Sequence, residues 1–83
     1  MRNRLLRSAV MDQRTPYKRE RRRELEKLGL HPPRIMLSAR CAVWLEQEVD
    51  RWQAALAAGC NESEVRELVG RMVAEREQGK TSA

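Results

Sequence analysis

The chain has 83 residues, 35% of them charged, and a formal net charge of +5, which leaves room for one small domain with little core to spare. With no Phe, that core must come from Leu, Val, Met, Ala, two Trp and one Tyr, and no apolar run approaches the roughly 20 residues that span a bilayer. The charge is uneven: residues 1–40 hold 12 Lys/Arg against 4 Asp/Glu, and residues 41–83 hold 5 against 8, so a half suited to a polyanion is joined to a mildly acidic one.

The Met1-Arg2-Asn3-Arg4 start lacks the apolar stretch of a signal peptide, so a cytoplasmic protein without membrane contact is expected. Arg4-Leu5-Leu6-Arg7 reads as a short extended entry whose leucines pack on the core. Ser8 can cap a first helix from Ala9 to about Arg14, with Val10 and Met11 as its buried pair. Thr15 is a good N-cap and Pro16 suits a first helical position, which predicts a second helix over Pro16–Leu28, terminated by Gly29. Its apolar residues are Tyr17, Leu25 and Leu28, with Arg21 at the intervening turn. The remainder is dominated by Lys18, Arg19, Arg22, Arg23 and Lys27. Intrahelical ion pairs supply only a few tenths of a kcal/mol each, roughly, and do not account for so many arginines in one helix.

The proline pair in Leu30-His31-Pro32-Pro33 stops any helix and favours extended backbone. Two short apolar runs follow, Ile35-Met36-Leu37 and Cys41-Ala42-Val43-Trp44, separated by Ser38-Ala39-Arg40. That pattern predicts a β-hairpin with Arg40 at its tip. Cys41 is expected as a small buried strand residue and Cys60 as a loop residue; their spacing supports neither a disulfide framework nor a zinc site. His31 has no second metal-ligand type nearby and is expected to pack beside Trp44 in the turn. After Trp44 the period changes: Leu45, Val49, Trp52 and Leu56 mark an amphipathic helix. Trp44 and Trp52 both read as core residues.

Ala57-Ala58-Gly59 ends that helix. Asn61 with Glu64 forms a capping-box signature for a last helix from Glu62 to about Gln78. Its stripe of Val65, Leu68, Val69, Met72 and Val73 either packs back on the domain or offers a partner-binding surface through Val65, Leu68, Val69 and Met72. The division expected is therefore 1–58, 59–79 for the added helix, and a flexible tail at 80–83. The chain shows no nucleophile elbow, phosphate loop or carboxylate cluster, so neither enzymatic activity nor a metal or cofactor is expected.

A short helix, a tight turn and a basic second helix make a helix-turn-helix whose second helix enters the major groove of double-stranded DNA. With the hairpin behind it as a wing, the fold class is mainly α with a small β-hairpin: a winged helix-turn-helix plus an extra C-terminal helix. Lys18, Arg19, Arg22, Arg23 and Lys27 are expected at the DNA, with Arg34 as a phosphate contact and Arg40 reaching a minor groove. The sequence does not sort them between bases and phosphates.

Residues Leu5 to Trp52 resemble the AlpA-like and excisionase-like small regulators of prophages and integrative elements, which share a MerR-like winged helix-turn-helix. The likeness is strongest where the hairpin runs into Trp44-Leu45-Glu46-Gln47-Glu48-Val49-Asp50-Arg51-Trp52. Leu5-Leu6-Arg7, Gly29, Leu37 and Arg40 also fall where that family has them. The chain departs from it with Pro16 for a glycine, Tyr17 for a leucine, His31 for a phenylalanine, Arg22 and Arg23 for an apolar and a tyrosine-like residue, and Ser38 for a wing glycine.

The resemblance implies an excisionase, or recombination directionality factor, that binds and bends attachment-site DNA. It would self-associate along the duplex and assist an integrase in excising a prophage or integrative element, as part of the nucleoid. Two alternatives stand beside it: a transcriptional regulator of an integrase or neighbouring operon, and a protein-interaction module working through the last helix.

Overall fold

In the computed structural model, which describes residues 4–82 and their side chains as far as Gly79, the order is β1 (Leu5–Arg7), α1 (Ser8–Arg14), α2 (Arg19–Lys27), β2 (Ile35–Ser38), β3 (Cys41–Leu45), α3 (Glu46–Ala57) and α4 (Glu62–Ser82). The fold is mainly helical with a small antiparallel sheet, a winged helix-turn-helix with an added C-terminal helix. Met1–Asn3 and Ala83 lie outside the described residues, and with them the readings made of the chain start and the last tail residue.

The sheet has three strands in the order β1-β3-β2, one more than the predicted hairpin. Leu6 pairs with Trp44, and both side chains are buried, while Leu5 is exposed rather than packed on the core. Alternation in so short a strand allows one inward residue only. Between β2 and β3 the register breaks at Met36/Ser38, a bulge that leaves Leu37 unpaired and exposed next to the turn bearing Arg40.

Helix α2 starts at Arg19, three residues later than predicted. The Thr15 hydroxyl donates to the Tyr17 carbonyl (3.1 Å), and the Thr15 N–H closes α1 on the Met11 carbonyl. Thr15 therefore ends one helix instead of capping the next, and Lys18 takes the cap position in extended conformation. Ser8 is likewise the first residue of α1 rather than its cap, which is Arg7. The C-terminus of α2 is as expected: Gly29 adopts φ +75°, and its N–H and that of Leu30 bond back to Glu26 and Leu25.

Two buried clusters form the core. Leu6, Met11, Trp44 and Val49 lie under β1 and α1; Leu25, Leu30, Trp52, Val65, Val69 and Met72 join α2, α3 and α4. His31 links them, its ring 4.5 Å from that of Trp52 and 6.4 Å, edge-on, from that of Trp44. The Trp52 indole N–H donates to the Leu30 carbonyl at 2.9 Å.

The α4 stripe thus packs inward. Val65, Val69 and Met72 are buried and Leu68 half-buried, so the partner surface expected of these residues is a piece of core, needed to cover Leu25 and Trp52. The predicted capping box forms: Asn61 Oδ1 accepts the Glu64 N–H (2.9 Å) and Glu64 Oε1 accepts that of Asn61 (3.0 Å). Further along, Arg76 binds the buried Glu48 carboxylate and the Pro33 carbonyl, tying α4 to α3 and to the approach to the wing. α4 carries on to Ser82, so residues 80–82 are helical where a tail was expected. No helix among the described residues is long and apolar enough to cross a membrane.

Candidate nucleic-acid interface

The late start of α2 changes which side of the helix faces out. Arg22 and Leu25 point inward, and Leu28 and Arg21 are exposed. Arg22, expected at the DNA, is 1% exposed. Its guanidinium donates to Asp12 Oδ1 (2.8 Å), the Tyr17 carbonyl (3.0 Å) and Ser8 Oγ (3.2 Å), and lies 5.8 Å from the Trp44 ring centroid. A cation so enclosed fastens α1 and the turn onto α2; it does not reach a duplex. No pattern in the sequence distinguishes this arginine from its neighbours, because Asp12 and Ser8 meet it only through the fold.

Ion pairing sorts the remaining cations. Arg4 and Arg14 are held by Glu46, Arg14 also by Asp50, and Arg21 by Glu24. Arg34 is clamped by both oxygens of Glu26 (3.0 and 3.2 Å) with its guanidinium 5.4 Å from the Trp44 centroid. Among the described residues, Arg7, Lys18, Arg19, Arg23, Lys27 and Arg40, together with Arg66 and Arg71 on α4, have no carboxylate at ion-pair distance. Arg19, Arg23 and Lys27 are four residues apart, which stacks them along one side of α2. The first turn of α2 has no side-chain cap, so its N–H groups and the positive end of the helix are open to an anion beside Arg19.

Arg7, Arg19, Arg34 and Arg40 line one cleft of about 390 Å³ between α2 and the wing, with Ser8 and Trp44 also in its wall. The wing tip and the basic helix therefore border the same concavity. Arg7 was not among the expected contact residues. Its signal was the alternation around Leu6: with Leu6 inward, Arg7 turns out at the strand end. Lys18 sits at the turn before α2, beside Thr15 and Pro16.

Apart from Glu20, Glu24 and Glu26 on α2, carboxylates gather on α3 and α4. Glu46, Glu48 and Asp50 lie on α3 against Arg14 and Arg76, and Glu75 is paired with Arg51, whose hydrogen bond holds that carboxyl below its ordinary range. The His31 imidazole is pushed down by burial, against the opposing pull of the Pro32 carbonyl and Glu26; its Nδ1–H donates to that carbonyl at 2.8 Å. Cys41 and Cys60 are free thiols, both half-buried.

The family model described as prophage CP4-57 regulatory protein (AlpA) matches residues 4–57, from just before β1 to the end of α3. No curated protein and no solved structure gives a match. The matched span holds the helix-turn-helix, the wing and the whole of the basic cleft, and leaves only α4 outside. By that match the chain belongs to the AlpA family, of prophage-associated regulatory DNA-binding proteins.

Proposed function

We propose that this protein is an excisionase, binding attachment-site DNA and bending it so that an integrase can assemble the complex that excises a prophage or integrative element. The observation that carries the reading is a cluster of cations: Arg7, Arg19 and Arg40, none with a carboxylate at ion-pair distance, border one cleft between α2 and the wing, while Arg14 and Arg22 are tied into the fold. In this arrangement Arg23 enters the major groove, Lys18 and Lys27 hold phosphates, and Arg19 and Arg40 meet the backbone where the helix and the wing converge. Arg34, half-neutralised by Glu26, stiffens the wing's approach and adds a weaker phosphate contact.

Smoothly bending a 20–30 bp site costs on the order of 1–6 kcal/mol. A monomer this small offers few contacts to offset that, so several copies bind side by side along the duplex. Recombination chemistry belongs to the integrase partner; this chain supplies geometry.

The family description, a regulatory protein, favours a second reading, control of transcription from an integrase or neighbouring promoter. Footprinting across the host element separates the two. Protection of repeats flanking an attachment site supports excision; protection of a promoter alone overturns it in favour of regulation. Sedimentation on a multi-repeat duplex should show more than one copy at saturation. For the third possibility, a protein-interaction module using the α4 stripe, only half-buried Leu68 and exposed Val73 remain at the surface, which makes it the weaker reading.

A further inference from the structure

The cleft between α2 and the wing is built for more than diffuse attraction. Its arginines come from separate stretches of chain: Arg7 ends β1, Arg19 opens α2, Arg34 precedes β2 and Arg40 sits in the hairpin turn. No carboxylate lines it, and Glu26, which binds Arg34 from outside the cleft wall, leaves Arg7, Arg19 and Arg40 uncompensated. Arginines gathered round one concavity repel each other. Such a site is relieved by an anion with several acceptor oxygens, which guanidinium forks match in geometry.

Two details make it a seat and not merely a charged surface. Arg34 is pre-positioned, fixed by both oxygens of Glu26 and lying against Trp44. Ser8 Oγ already accepts an N–H from the buried Arg22, which leaves its own O–H to donate outward.

We infer that this cleft is a discrete phosphate-binding site, which holds one backbone phosphodiester at the seam between recognition helix and wing and takes inorganic phosphate when no duplex is present. The inference rests on the duplex-binding reading for the identity of its natural occupant, but not for the site itself. A phosphate anchored there sets the depth at which α2 enters the groove.

The test uses the full chain and two probes. Inorganic phosphate is titrated at constant ionic strength while the arginine Nε–H signals are followed by NMR. Saturable shifts confined to Arg7, Arg19, Arg34 and Arg40, with Arg23 still, are expected; uniform shifts over every exposed arginine, or none, overturn the inference. A duplex is then bound by wild type and by the Arg7→Gln/Arg19→Gln/Arg40→Gln variant, whose folding is checked by circular dichroism. The salt dependence should lose at least about 0.9 of its log–log slope, the value of one phosphate. A variant that keeps the wild-type slope overturns the seat while leaving DNA binding intact. Saturable phosphate binding in a protein that binds no duplex supports the site and overturns instead the duplex-binding function.

Discussion

Replacing Arg22 by alanine separates a structural arginine from a DNA-contacting one. The side chain is almost fully enclosed, and its guanidinium serves Asp12, Ser8 and the Tyr17 carbonyl while covering Trp44. Breaking a buried ion pair costs about 3–5 kcal/mol. Here the partner Asp12 is half-exposed and can rehydrate, which lowers the figure, while the space left beside Trp44 raises it. A loss of about 2–4 kcal/mol is expected, a large part of the 5–15 kcal/mol typical of a domain. For a chain of this size it should lower Tm by more than about 10 °C. Urea or thermal unfolding followed by tryptophan fluorescence measures it directly, since Trp44 lies under the guanidinium. Arg22→Met should recover part of the loss by refilling the space. An Arg22→Ala protein within about 0.5 kcal/mol of wild type that nevertheless fails to bind DNA would refute the structural role.

Three further outcomes follow from the packing. Burial depresses the His31 pKa below its ordinary 6.5, so the unfolded chain takes up a proton that the folded one resists. Stability from this residue is therefore complete above that value and falls as pH drops from there toward the lowered folded pKa. Urea midpoints should decline as pH falls below about 6.5 in wild type and much less in His31→Phe. Arg76→Ala leaves the buried Glu48 carboxylate unpaired and should cost about 3–5 kcal/mol, whereas Glu48→Leu with Arg76→Met should lie closer to wild type in chemical denaturation. Asn61→Ala removes the acceptor for the Glu64 N–H and should cost about 1 kcal/mol in the same measurement.

How much of this was legible in the sequence depended on how local each determinant is. The hairpin, the Gly29 terminator, the Leu45–Leu56 stripe and the Asn61–Glu64 box are set by residues a few positions apart, and each appears where the pattern placed it. The phase of α2 was not legible. Between Tyr17 and Leu28 only Leu25 is apolar, too sparse a pattern to orient a helix, and the Thr15 hydroxyl had two possible uses. The inward arginine was consequently read as outward. The extended run at Leu5–Arg7 was legible, but its pairing as β1 was not, because three residues carry no period and the partner β3 lies far along the chain. The α4 stripe was visible, but whether it covered this domain or another molecule depended on the exposed flank of Leu25 and Trp52 that only the fold reveals.

The central claim is that the cations left unpaired on α2 and the wing hold duplex DNA. Fluorescence anisotropy on a labelled duplex tests it most directly, comparing Arg19→Gln/Arg23→Gln with Arg51→Gln/Arg71→Gln, which removes the same charge from α3 and α4. The first variant should bind at least about tenfold more weakly, the loss of one charge-assisted contact of ~1.5 kcal/mol, with unchanged unfolding, and the second should stay within about twofold of wild type. Equal losses in the two would show that net charge alone draws the protein to DNA, and would contradict an interface on this face.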